Sequence, residues 1–303
     1  MYVYGVDSSY IYTTAVPPSG KLLAMVEYYG ALYQIDLDGK ITTLYNRSFS
    51  EDFFTDCQYA LDYENKLAYL PAVHYVLGVD INSGKTVIKK PAPKPVLFES
   101  FNYNVKNKSI NGVCTGNDQW NWCELTKNGT VVFKYQLPYL SELGPIDCDY
   151  NADFGENLFW YDPGSGFVLA IDTTNGNLTF KSGPATTFCI TYDSVATRVY
   201  AVIRLGIIGP YCLTEIHLDP KPATHIKELP KDLTLASIGS CAIDPQSHTV
   251  FVLMSPATLI QTMPTALIIV NLDSTKITRV NLPSFGPAFE TTKFILNTKF
   301  IGD

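Results

Sequence analysis

DCQYALDYENKLAYL (56–70), followed by HYVLGVDINSGKTVI (74–88), decides how the whole chain is read. A short alternating stretch runs into a turn built on Asp62. A second stretch ending in aromatics follows, and then a third that ends in Val-Asp and a Gly turn opening a fourth. Ninety-one residues on, the pattern returns as DCDYNADFGENLFWY (147–161) and FVLAIDTTNGNLTF (167–180). Cys57 and Asp62 superpose on Cys148 and Asp153, and Asp80 falls within one residue of Asp172.

Working outward, the same unit is found between and beyond these copies. FNYNVKNKSINGVC (101–114) with WCELTKNGTVVF (122–133) keeps the spacing, with Glu124 in place of the acidic turn residue. VPPSGKLLAMV (16–26) with ALYQIDLDGKITTL (31–44) precedes them. ITYDSVATRVYAVI (190–203) with LTEIHLDPKPATHI (213–226), and CAIDPQSHTVFVLM (241–254) with ALIIVNLDSTKITRV (266–280), follow. FETTKFILNTKFIG (289–302) supplies only the first half of a unit. Anchoring each first turn gives positions 18, 62, 104, 153, 193, 244 and 297, which lie 40 to 53 residues apart. That period matches a propeller blade.

No convincing window shows a 3.6-residue period, so a parallel sheet with crossover helices is excluded. The expectation is one all-β domain over residues 1–303, a β-propeller of four-stranded antiparallel blades. Six blades are full, and a seventh is closed by pairing the N-terminal MYVYGVDS with the C-terminal strands, which removes the exposed edges. A pair of stacked sheets is the alternative architecture.

VLGVDINSGKTV and VLAIDTTNGNLTF resemble the repeats of the YVTN and quinoprotein-like propeller superfamily, in which an aliphatic strand ends in Asp and a Gly turn opens the outer strand. YQIDLDGKITTL is similar to repeats of the gluconolactonase and strictosidine-synthase-like group. The likeness implies a fold, and that fold hosts many functions.

Composition narrows the classes. The 303 residues carry a net charge of -7, with 46% hydrophobic, 17% charged and 13% aromatic residues. Binding a phosphate backbone needs clustered Lys and Arg, so nucleic acid is excluded as a partner. No apolar run is long enough for a membrane-spanning helix. Seven cysteines leave at least one unpaired. Cys114 and Cys123 bracket a hairpin and are placed to form a bridge in an oxidising compartment. Cys57, Cys148, Cys189 and Cys241 recur at the start of innermost strands and read as small buried hydrophobes. Asn46, Asn107, Asn128 and Asn177 are glycosylation acceptors if the chain is secreted. MYVYGVDSSY has no basic region before an apolar stretch, so the chain reads either as cytoplasmic or as an extracellular or secretory-pathway protein without its leader.

Turns within the first and last strand pairs of each unit share one end of the disc. Their acids, Asp62, Asp80, Asp153, Asp172, Asp193 and Asp244, read as turn formers. The opposite end carries longer, more varied loops and is the expected binding end. Glu27, Tyr28, Tyr29, Asp118, Trp120, Asp162 and Arg204 lie there and are the candidate ligand-binding residues. Asp56, Glu99, Asp147 and Glu290 stand at the entrance to the innermost strands and form a candidate oxygen-rich site for Ca²⁺. Likeness to metal-dependent lactonases of the six-bladed group implies the same activity. His74 is the candidate general base beside Asp56 or Glu99. Two functions follow. One is a secreted or lumenal binding module offering an aromatic, loop-rich end to a protein, glycan or small molecule. The other is a calcium-dependent hydrolase or lactonase at the channel mouth.

Overall fold

The computed structural model describes residues 20–26, 31–45, 59–71, 75–91, 97–98, 102–104, 108–116, 119–126, 130–143, 152–154, 158–161, 168–181, 186–206, 209–217, 223–235, 241–256, 265–283 and 296–302. Among these the only helical segment is a short 3-10 turn, Pro138–Leu143, and no helix is long and apolar enough to cross a membrane. The strands form six antiparallel sheets, written here as blades with the inner strand first. Blade one contains Leu296–Gly302, Gly20–Val26, Ala31–Asp36 and Ile41–Tyr45. Blade two contains Ala60–Asp62, Leu67–Pro71, Tyr75–Asp80 and Thr86–Pro91. Blade three has Asn102–Asn104 with Leu97–Phe98 beside it, then Ser109–Gly116, Gln119–Leu125 and Val131–Gln136. Blade four contains Ala152–Phe154, Leu158–Tyr161, Leu169–Asp172 and Leu178–Lys181. Blade five contains Thr186–Asp193, Arg198–Arg204, Tyr211–Ile216 and Thr224–Glu228. Blade six has Cys241–Asp244 with Leu233–Leu235 beside it, then Thr249–Pro256, Ala266–Asn271 and Ile277–Asn281.

The all-β propeller expected from the repeat is therefore present, with six sheets among the described residues where seven blades are expected. The difference lies in the closure. The C-terminal half-unit does not begin a seventh blade; its strand pairs with Gly20–Val26 from Gly20↔Gly302 to Val26↔Leu296 and becomes the inner strand of blade one. Two partial units thus merge into one complete sheet. Asn297, taken as a turn anchor, is the second residue of this strand and lies opposite Met25. MYVYGVDS, the expected partner in closure, lies outside the described residues.

Each blade is buried on both faces because it stands between two others. In Thr249–Pro256 of blade six, Phe251 and Leu253 pack with Leu22, Ala24 and Tyr33 of blade one. The alternating residues Val250, Val252 and Met254 pack with Tyr200, Val202 and Leu213 of blade five. This is the period of two expected of a strand, applied to a sheet with no solvent face, and it explains apolar runs such as ALIIV. Equivalent clusters join blades one and two, two and three, three and four, and four and five. Six interfaces close the ring. At the interface of blades one and two, the buried Tyr59 hydroxyl donates to the Leu23 carbonyl at 2.6 Å. Burying one such Leu or Phe stabilises by about 1.5–3 kcal/mol.

The tight turns follow from Asp chemistry. Asp193 accepts from the Val195 and Ala196 N–H groups at 2.9 and 2.8 Å, Asp62 from Asn65 at 3.1 Å and Asp244 from Gln246 at 3.0 Å. Each turn closes with a residue at positive φ: Lys66, Lys108, Thr197 or His248. The turn-former reading of these acids is correct for Asp62, Asp193 and Asp244, and likewise for Asp80 and Asp172 in the outer turns. Two positions need correction. In blade four Phe154 opposes Phe159, as Asp62 opposes Leu67, so Phe154 holds the anchor position and Asp153 pairs with Trp160. The true offset is 92 residues for both turns. In blade three Thr126 closes the outer turn by accepting from Thr130 N–H at 3.0 Å, whereas Glu124 lies two residues earlier and pairs with Lys134 at 2.8 Å.

One buried carboxylate is incompletely satisfied. Asp193 is 0% exposed, and its second oxygen has no donor among the described residues. In blade two the matching Asp62 receives a hydrogen bond from Tyr103 of the next blade. The residue corresponding to Tyr103 in blade six is Ile243, which has no donor to offer.

Candidate binding site between blades five and six

Register defines the two ends of the disc. Asp193 opposes Arg198 at one end of the first hairpin of blade five, and Thr186 opposes Arg204 at the other. Arg204 and its cross-strand partner Tyr211 flank the loop between the second and third strands, so both lie at the loop end. That hairpin is shaped by glycine: a Cβ on Gly209 would meet the Leu205 carbonyl oxygen at 1.5 Å. Leu205 N–H donates to the Pro210 carbonyl at 3.2 Å, and Arg204 Nε donates to the Gly209 carbonyl at 3.4 Å. The guanidinium carbon lies 5.6 Å from the centre of the Tyr211 ring, within the range of a cation–π contact. Phe188 meets the same ring edge-on at 4.9 Å and 78°. The Tyr211 hydroxyl shares a 2.8 Å hydrogen bond with the Thr234 hydroxyl, reaching across to blade six.

The Cys189–Cys241 disulfide joins the inner strands of the same two blades and sets their spacing beside Phe188. Reading these cysteines as isolated core residues is thus corrected: similar positions in adjacent blades are neighbours around the axis. Cys57 and Cys148 lie outside the described residues. The expected Cys114–Cys123 bridge is present. Cys212 is the free cysteine among the described residues; burial, followed by the charge of Glu228, pushes its thiol pKa up, so it is a poor nucleophile.

Three arginines fall among the described residues. Arg198 pairs with Glu215 at 3.4 Å and Arg279 with Asp232 at 2.7 Å. Arg204 has no carboxylate partner among the described residues. It is held by a ring and a carbonyl while its terminal N–H groups face no acceptor there.

Trp120 is at the loop end of blade three, half-buried against Val113, Trp122 and Leu137, with its carbonyl accepting from Leu137 N–H at 2.8 Å. It belongs to the packed interface between blades three and four and is not joined to Arg204. Glu27, Tyr28, Tyr29, His74, Asp118 and Asp162 lie outside the described residues, as do Asp56, Glu99, Asp147 and Glu290. Among the described residues no three His, Cys, Asp or Glu side chains are grouped to hold a metal ion. Phe188, Tyr211 and Thr234 were missed from the sequence. Only Tyr211 left a signal, since it mirrors Arg204 across the hairpin.

A closed ring of antiparallel four-stranded blades defines a β-propeller. Solved structures agree. TolB from Acinetobacter baumannii superposes with a TM-score of 0.61 at 12% identity, covering 94% of this chain and 67% of that one. A chain of the nidogen–laminin complex gives 0.56 at 10% identity, covering 92% and 98%. The β-propeller domain of Cps50 (Swd1) from Myceliophteria thermophila gives 0.51 at 12% identity, covering 88% of each. No family model and no curated protein matches the chain. At these identities the likeness establishes the fold alone.

Proposed function

We propose that this protein is a binding propeller of the cell exterior or secretory pathway, offering the loop end of its disc to a protein, glycan or small-molecule ligand. The observation that carries the reading is Arg204, held in place at that end with no carboxylate partner among the described residues, while the turn-end acids Asp62, Asp80, Asp172, Asp193 and Asp244 serve their own turns. Two disulfides favour an oxidising compartment. The exposed sequon at Asn177, on an outer turn, is compatible with it. One experiment compares two surface variants in a glycan and secretome binding screen. Leu205→Glu with Tyr211→Ala alters the loop end, and Tyr63→Glu with Val195→Glu alters the turn end. Loss of a captured ligand with the first pair and retention with the second supports the proposal; the reverse pattern refutes it.

A further inference from the structure

We propose that the surface around Arg204 recognises a single carboxylate joined to an apolar body, an organic monoacid or the carboxyl end of a short peptide. This rests on the reading above that the loop end is the binding surface. The Nε–H of Arg204 is spent on the Gly209 carbonyl, which leaves the end-on fork of its terminal nitrogens for a ligand. That planar fork matches the two oxygens of a carboxylate. Both other described arginines meet a carboxylate of this chain, and Arg204 is the one left for a carboxylate from outside. Its plane is fixed by Tyr211 and by the hairpin, so little side-chain freedom is lost on binding. Because the Tyr211 and Thr234 hydroxyls share one hydrogen bond, the accepting hydroxyl keeps a proton to donate to a further oxygen.

The surroundings select against other anions. A phosphate monoester brings nearly two charges at neutral pH, and among the described residues no lysine stands with this arginine to meet the second. An extended polyanion would approach a chain of net charge -7 against its field. The apolar groups of this end, Phe188 against the Tyr211 ring and the 44% exposed Leu205 next to Arg204 in the chain, suit a hydrocarbon or aromatic body.

The test titrates the whole chain by calorimetry and ligand-observed NMR with 3-phenylpropionate, its amide, N-acetylphenylalanine and phenyl phosphate. Saturable binding of at least one acid is expected, with the amide and phenyl phosphate weaker by about tenfold or more, as for loss of a charge-assisted pair. Preference between 3-phenylpropionate and N-acetylphenylalanine separates a free acid from a peptide end. Arg204→Gln, checked for an unchanged melting curve, loses about tenfold for the acids, and Arg204→Lys falls between because it keeps the charge without the fork. If acid and amide bind alike, if Arg204→Gln binds the acid as the parent does, or if none of the acids binds, the inference is overturned. A screened ligand that still requires Leu205 and Tyr211 would then leave the binding-end reading standing; a ligand lost only with the turn-end pair would remove both.

Discussion

Replacing Cys189 and Cys241 with alanine removes the covalent tie between the blades that flank the candidate site. The bridge spans 52 residues of sequence. In the chain-entropy account, closing a loop of that size stabilises the folded chain by about 4 kcal/mol, against about 2.5 kcal/mol for a nine-residue loop. The second figure is an upper bound for Cys114–Cys123, because strand pairing already holds that hairpin from Ile110↔Leu125 to Gly116↔Gln119. Urea unfolding of the parent, Cys189→Ala/Cys241→Ala and Cys114→Ala/Cys123→Ala therefore separates the three midpoints widely. The first double variant should also melt roughly 8 °C below the parent, taking about 2 °C per kcal/mol for a chain of this size. Reductant, which breaks both bridges, should move the parent at least as far. The reasoning is refuted if the Cys189/Cys241 variant unfolds with the parent, or shifts no further than the hairpin variant.

Three further expectations concern the frame. Gly84 has φ +68° and its added Cβ would lie 1.9 Å from the Leu44 carbonyl of blade one, whereas Gly206, at φ +74°, has open space. Gly206→Ala should cost about 1 kcal/mol and Gly84→Ala at least about 2 kcal/mol more, and equal thermal shifts would show that the blade contact is unimportant. Tyr103→Phe removes the hydroxyl that reaches Asp62; burial of Tyr103 itself first, and the Asp62 charge next, push the Tyr103 pKa up to about 12. A loss of about 1.5–3 kcal/mol is expected by urea titration, and a neutral result would deny the bond. Asp80 and Asp172 are held below their ordinary 3.8 chiefly by the Ser83 and Thr174 hydroxyls, then by the backbone N–H groups of those residues. Because these pKa values are depressed on folding, the stability they add is complete above about pH 4 and is lost as pH falls through the folded values. Asp80→Asn/Asp172→Asn should flatten the acid limb of a stability–pH curve, and an unchanged limb would contradict this.

Much of the frame was legible because its cause is local. Asp62, Asp193 and Asp244 make their turns with residues two or three positions on, so sequence spacing alone finds them. Blade four slipped by one residue because Phe154 holds the anchor while the adjacent Asp153 imitates it. Closure was legible only in part: the C-terminal strands were expected to pair with the N-terminal end of the chain, but that Leu296–Gly302 meets Gly20–Val26 depends on a partner nearly the whole chain away, and similarity between units carries no record of that pairing. The site shows the same division. Arg204 was placed at the loop end by the order of strands, but Phe188 and Thr234 reach its neighbour Tyr211 from other strands. Cys189 finds Cys241 only because inner strands converge on the axis.

The propeller depends on a ring closed by Leu296–Gly302 inside blade one. The direct measurement is hydrogen exchange and thermal unfolding of a chain truncated before Leu296, with and without a synthetic peptide of residues 289–303. Closure predicts that the truncated chain loses its cooperative transition and the amide protection of Gly20–Val26, and that the peptide restores both. A truncated chain that melts and exchanges like the parent would contradict it.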